Sequence, residues 1–168
     1  MTTQDELEDQ AYEAWDAERY SDAFSLFLAA EAHGARIVRL NIGYCFDEGL
    51  GTPPSKYQAL AWYRRAHVAD RRSGSAASNI ALVMRKRGAH GSAFRWFQKS
   101  AVRRDGDTYV DLAKCYLTGL GVTRSAPLGL TLLRRAIRSK HITPAAREEA
   151  QSLLRAQGVL LSLNYRRP

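Results

Sequence analysis

Residues 42–51, IGYCFDEGLG, recur as residues 112–121, LAKCYLTGLG, and this repetition is the main indication of the fold. The copies stand 70 residues apart and share an aliphatic residue, a small residue, a cysteine, an aromatic residue and a Gly-Leu-Gly turn. The spacing of the bulky and small residues is that of one buried helical face, and a glycine after such a face is typical of a helix end. The sequence therefore predicts a helix followed by a tight turn at both places.

A second pattern opens the helix that follows each turn. A small residue is followed by bulky side chains three and four positions later, at Ala23 with Leu26 and Phe27, Ala59 with Trp62 and Tyr63, Ala93 with Trp96 and Phe97, and Gly129 with Leu132 and Leu133. The four copies are separated by 36, 34 and 36 residues, a period typical of stacked helix-turn-helix units.

These patterns predict an all-α fold, a right-handed α-solenoid of about four repeats forming a single domain over residues 1–168. The predicted repeats cover residues 5–34, 35–72, 73–106 and 107–141, followed by a capping helix over 143–157 and a tail over 158–168. Thr143 and Pro144 form a helix start, and Gly158 is interpreted as its stop. The tail is expected to pack on the cap; its own groove or a second copy are the alternatives.

The units with Gly-Leu-Gly turns resemble Sel-one-like repeats, whereas the first and third units, with shorter turns, resemble tetratricopeptide repeats. The resemblance covers roughly residues 5 to 140 and implies an α-solenoid used for protein–protein contact, without implying a particular partner.

A candidate binding surface lies on the first helix of each repeat. Because each residue of an α-helix is rotated by about 100° from the one before it, the positions of this surface lie opposite the buried stripe. In the tetratricopeptide family an asparagine at the position of Asn41 and Asn79 commonly holds the backbone of a bound peptide. The predicted groove comprises Tyr12, Asn41, Tyr44, Asn79, Leu82, Lys86, Asp111 and Lys114. The basic set that clamps a C-terminal carboxylate in chaperone-binding members is not reproduced. Chance surface polarity is the alternative interpretation of the two asparagines.

Charge is distributed unevenly along the chain. Residues 1–34 carry nine acidic side chains and one arginine, a net of −8, whereas residues 35–168 carry 24 basic and eight acidic side chains, a net of +16. Such asymmetry bears on association rather than fold. Two hypotheses stay open: the acidic repeat contacts basic surface of a second copy, giving a homo-oligomer, or the basic remainder faces an acidic protein.

The basic residues of the second helices define an alternative surface, Arg64, Arg65, Arg103, Arg104, Arg134 and Arg135. A solvated helix face is one interpretation. A broad surface with which a bacterial immunity protein neutralises a toxin is another, and weak nucleic-acid binding is a third. Aromatic residues do not interleave with these charges as base stacking requires, so nucleic acid is disfavoured.

Enzyme chemistry finds no support in the sequence. The four histidines are scattered and none has metal-ligand spacing to another histidine or to a cysteine. Cys45 and Cys115 are interpreted as buried, reduced thiols. We expect no catalytic residue, no metal and no cofactor. No run of about 18 apolar residues is present, which predicts no membrane span, and the acidic N-terminus is unlike a secretory signal, which predicts a cytoplasmic protein.

Overall fold

A computed structural model describes residues 3–70, 74–101 and 106–164, and over these residues the chain forms nine α-helices and no strand. The helices are α1 (Gln4–Asp16), α2 (Tyr20–Ala32), α3 (Arg39–Glu48), α4 (Lys56–Ala69), α5 (Ser75–Lys86), α6 (His90–Ala101), α7 (Gly106–Thr118), α8 (Ala126–Arg138) and α9 (Pro144–Asn164). The predicted all-α helical repeat fold is confirmed.

The chain divides into two compact units, residues 1–83 and 84–168, with the boundary inside α5. In the first unit α1 packs on α2, α2 on α3, and α3 on α4. In the second unit α6 packs on α7, α7 on α8, and α9 on both α7 and α8. The single domain and the repeat boundaries stay predictions.

The long turns after α3 and α7 have the same backbone structure. Gly49 and Gly119 end their helices at φ of 78° and 79°, and each donates its N–H over 2.8 Å to the cysteine carbonyl four residues earlier. Ser55 donates its N–H to the carbonyl of Phe46 over 2.7 Å, and the residue 70 positions later repeats this bond over 2.8 Å. Left-handed backbone of this kind favours glycine, which explains why both copies carry it.

The short turns after α1 and α5 also match each other. Glu18 and Gly88 occupy equivalent positions at φ of 56° and 76°. Their N–H groups donate to the carbonyls of Trp15 and Arg85 over 2.9 and 3.0 Å. The structure thus repeats with a period of 70 residues in both turn types, the period at which the sequence repeats.

The buried side chains follow the predicted helical pattern. The bulky residue four positions after each small residue is fully buried, as at Phe27, Tyr63, Phe97 and Leu133. The residue three positions after each small residue is half-buried. Small residues are needed where the helices meet. A methyl group on Gly43 would come within 2.5 Å of the Tyr63 ring, and one on Gly129 within 2.7 Å of Leu117. Close helix packing therefore depends on these two glycines.

The C-terminal helix is longer than predicted, and the expected end at Gln157 is wrong. α9 continues through Gly158 to Asn164. Gly158 does not adopt the left-handed backbone of a helix stop, and apart from its chain neighbours and the backbone of its own helix no described atom lies within 4 Å of the position its side chain would occupy. A glycine inside a helix is tolerated at about 1 kcal/mol relative to alanine, so glycine alone does not end a helix. Of the predicted tail, Tyr165 to Pro168 lie outside the described residues.

Candidate functional site

Three of the predicted groove residues come together in the first unit, on α1 and α3. The Tyr12 hydroxyl donates a long hydrogen bond of 3.4 Å to Oδ1 of Asn41. The Tyr12 ring meets the buried Phe27 edge-on, with 5.4 Å between the ring centroids. Burial, followed by the charge of Glu8, raises the pKa of Tyr12, so the phenol stays a neutral donor. We call Tyr12, Asn41 and Tyr44 the aromatic face.

Tyr44 is the outermost member of the aromatic face, with 43% of its surface exposed. Its ring lies 6.0 Å from that of Trp15, which in turn contacts Tyr20 at 5.3 Å and Phe27 at 5.9 Å. Aromatic pairs at these distances are favourable and rigid. The exposed ring is therefore held from behind, and binding a partner would cost it little conformational entropy.

Asn41 has unused hydrogen-bonding capacity. Its side-chain oxygen accepts from Tyr12, while its side-chain nitrogen contacts no acceptor among the residues that the structure describes. A primary amide carries two N–H donors. Neither of these donors is used by an acceptor among the described residues.

Acidic side chains lie one helical turn from members of the aromatic face. Asp9 and Asp16 on α1 and Glu48 on α3 are exposed and occupy neighbouring positions of the same helical stripe. An aromatic centre with a negative rim favours a partner segment that carries positive charge.

The remaining predicted residues of the first unit are Asn79 and Leu82 on α5. Both are half-buried, as a surface stripe requires. No described contact joins either residue to the aromatic face. Lys86, at the end of the same helix, is exposed and falls in the second unit.

Asp111 and Lys114 belong to an ion-pair network inside the second unit. Arg85 reaches Asp111 over 2.6 Å, and Lys114 lies 3.2 Å from the same carboxylate. Lys114 also donates to both oxygens of Glu149 on α9, over 2.9 and 3.1 Å. The positive charge of Lys114 is thus neutralised by carboxylates of the chain itself.

The predicted basic surface consists of exposed side chains where it is described. Arg64, Arg65, Arg134 and Arg135 are exposed, whereas Arg103 and Arg104 lie outside the described residues. The Arg65 guanidinium lies 4.5 Å from the centroid of the Trp62 ring, and Lys99 lies 4.1 Å from that of Trp96. These cations cover aromatic faces that base stacking would need.

No group of three or more histidine, cysteine or acidic side chains with metal-binding geometry occurs among residues 3–70, 74–101 and 106–164. Across the same ranges, no helix combines the length and apolar character required to cross a bilayer.

The two cysteines are buried, free, and electrostatically unsuited to act as nucleophiles. Burial raises the pKa of Cys45 to about 11 and also raises that of Cys115, next to Asp111. We expect iodoacetamide at pH 8 to alkylate Cys45 about a hundredfold more slowly in the folded protein than in guanidinium, because the thiolate is the reactive form. Equal rates in the two states would contradict this.

The raised pKa of Cys45 also makes the stability of the folded protein depend on pH. The folded protein holds the Cys45 proton more tightly than the unfolded chain, whose thiol has a pKa of about 8.5. The stabilisation is therefore complete below that pH and is lost as the pH rises toward 11.

Comparison with known proteins finds a repeat family and solved structures that resemble this architecture. The model of the Sel1 repeat matches residues 39–66, 90–101 and 107–141. A Sel1 repeat protein from Oxalobacter formigenes has a similar crystal structure, with a TM-score of 0.67 and 22% identity over 80% of this chain and 52% of that chain. The crystal structure of MamA is similar with a TM-score of 0.60 and 14% identity, over 77% of this chain and 74% of that one.

This chain thus spans about half the length of the Oxalobacter protein. No curated protein matches it in sequence. The repeat matches include both long glycine turns, and the helical architecture is shared with solved repeat proteins. Together these findings show that residues 39–66, 90–101 and 107–141 carry Sel1-like repeats and that the chain has the helical-repeat fold of these solved structures.

Proposed function

We propose that this chain is a non-catalytic protein-binding module whose aromatic face holds an extended, basic segment of a partner protein. Repeats of this family generally mediate protein–protein interaction and typically serve as non-catalytic scaffolds. The observation that carries the proposal is the exposed Tyr44 ring, supported from behind by Trp15 and placed beside the free amide donors of Asn41.

The chemistry of the aromatic face suits a peptide backbone. An asparagine amide donates to backbone carbonyls irrespective of the partner's side chains, whereas a fixed tyrosine ring supplies amphipathic contact area. The acidic rim of Asp9, Asp16 and Glu48 then selects basic side chains and speeds association. Because the rim is exposed, the rate of association should fall as salt is added.

Asn79 and Leu82 are candidates for extending this binding surface along the first unit. Asp111 and Lys114 are paired within the second unit, so the proposal does not use them. No feature of the described residues favours the toxin-inhibitor alternative.

The test begins with a displayed library of random peptides selected on the immobilised protein. We expect selected peptides to be enriched in lysine and arginine. Tyr44→Ala should weaken binding of a selected peptide about tenfold to a hundredfold, because a supported aromatic anchor is lost. Asn41→Ala should weaken it about fivefold to tenfold, because hydrogen bonds to the backbone are lost. Affinities would be measured by calorimetry.

Tyr57→Ala is the matched control, because Tyr57 is a tyrosine of the same unit that is 79% exposed and lies on α4. It should change the affinity less than twofold. Equal losses for Tyr57→Ala and Tyr44→Ala would count against the aromatic face, as would enrichment of acidic peptides.

A further inference from the structure

A cavity of about 450 Å³ lies in the second unit, where the end of α8 and the loop after it approach α7. Its lining residues are Tyr109, Arg135, Arg138, Ser139, Lys140 and His141. The volume falls within the range of small-ligand sites. The cavity is separate from the aromatic face, which belongs to the first unit.

The lining of the cavity is strongly cationic. Arg135, Arg138 and Lys140 carry permanent positive charges at neutral pH, and no carboxylate is among the described lining residues. None of these three cations forms an ion pair within the described part of the chain. Three cations around one concavity, none of them in an ion pair with a described residue, attract an anion.

A carboxylate of the adjoining cavity is already engaged. Asp107 lines the adjoining cavity, and its two oxygens accept hydrogen bonds from the N–H and the hydroxyl of Thr143 over 2.8 and 2.9 Å. The acid therefore holds the start of α9.

The loop that lines the cavity is fixed in place. Arg147 of α9 donates to the carbonyls of Ile137 and Ser139 over 2.6 and 3.4 Å. The carbonyl of His141 accepts from the N–H of Gly106 over 2.7 Å. The cationic side chains thus extend from a backbone that is anchored on both α7 and α9.

Tyr109 supplies an independent sign of a ligand. Its side chain is 3% exposed, and its hydroxyl has no hydrogen-bond partner among the described residues. The Arg135 guanidinium lies 4.5 Å from the centroid of its ring. A buried hydroxyl without a partner is unfavourable, and an oxygen of a bound anion would accept its hydrogen bond.

We propose that this cavity binds a phosphate monoester. Two guanidinium groups, an ammonium group and a phenol offer more donors than a carboxylate can use, whereas a phosphate monoester presents three strongly accepting oxygens and close to two negative charges. The ring of Tyr109 is covered by Arg135, so no base can stack on that face. The phosphate can come from a phosphorylated partner segment or from a free mononucleotide.

Calorimetric titrations at 150 mM salt would test the proposal. The probes are inorganic phosphate, adenosine monophosphate, a phosphoserine peptide and the same peptide with unmodified serine. We expect both monoesters to bind and the unmodified peptide to bind at least about tenfold more weakly than its phosphorylated form. Tighter binding of the phosphopeptide than of the nucleotide would identify a protein source, and the reverse order a nucleotide source.

Arg138→Ala should weaken monoester binding about tenfold or more, because Arg138 lines the cavity. Tyr109→Phe should weaken it several-fold while preserving the packing of the ring, since only the donor is removed. Arg134→Ala is the matched control, because Arg134 is exposed on the same helix and does not line the cavity. It should change the affinity less than twofold.

Equal effects of Arg134→Ala and Arg138→Ala would show diffuse charge attraction and overturn the proposal. Tighter binding of a single-stranded oligonucleotide than of either monoester would overturn it in favour of a phosphodiester site, and no binding of any monoester would also overturn it. Retention of monoester binding in Tyr44→Ala is expected, so this inference and the proposed function fail separately.

Discussion

Gly51→Ala and Gly121→Ala should each destabilise the protein by at least about 3 kcal/mol. Both glycines have positive φ, 72° and 80°, where an alanine is strained. A methyl group would also lie 2.1 Å from the carbonyl oxygen of Tyr20 in the first case and 2.2 Å from that of His90 in the second. The obstacle is backbone, so no side-chain rotation can relieve the overlap.

The variant Gly88→Ala separates the cost of the strained backbone from the cost of the overlap with a neighbouring carbonyl. Gly88 has a φ of 76°, yet apart from its two chain neighbours no described residue has an atom within 4 Å of the position of an added methyl group. Its substitution should therefore cost only the backbone strain, about 1 kcal/mol. Urea unfolding followed by circular dichroism measures all three variants. Costs for Gly51→Ala or Gly121→Ala that match the cost for Gly88→Ala would show that the close backbone approach is not needed.

Phe27→Ala should destabilise the protein by about 3 to 5 kcal/mol, the usual cost of truncating a buried aromatic side chain. Phe27 is fully buried and contacts both Tyr12 and Trp15. Its removal leaves a cavity behind the aromatic face, so peptide binding should weaken together with stability. Phe27→Leu, which fills more of the space, should lose less of both.

Tyr57→Ala again serves as the control, because it truncates an aromatic side chain that is already exposed. It should change the free energy of unfolding by less than about 0.5 kcal/mol. A Phe27→Ala variant that unfolds like the parent but loses peptide binding would contradict the assigned role of Phe27 as a core residue.

The repeat architecture could be predicted from the sequence because its determinants are local. A small residue followed four positions later by a bulky residue specifies a buried helical stripe, and a glycine in a turn specifies left-handed backbone. Both signals recur with the repeat period of the sequence. Cys45 and Cys115, 70 residues apart, therefore end in equivalent buried positions.

The features that the sequence did not reveal depend on long-range contacts. Nothing local in Trp15 indicates that it supports Tyr44, and Lys114 gives no sign that Glu149, 35 residues later, neutralises it. Gly158 carries the same local signal as a helix stop, yet α9 continues through it. The cationic cavity requires Tyr109 and the end of α8 to meet, which spacing alone does not specify.

Nuclear magnetic resonance would show whether the aromatic face binds a basic segment of a partner. A library-selected peptide would be titrated into the isotopically labelled protein while backbone and side-chain amide signals are followed. We predict the largest shifts on α1 and α3, including the Asn41 side-chain amide, with little change on α4. Shifts confined to α4 or to the second unit would contradict binding at the aromatic face.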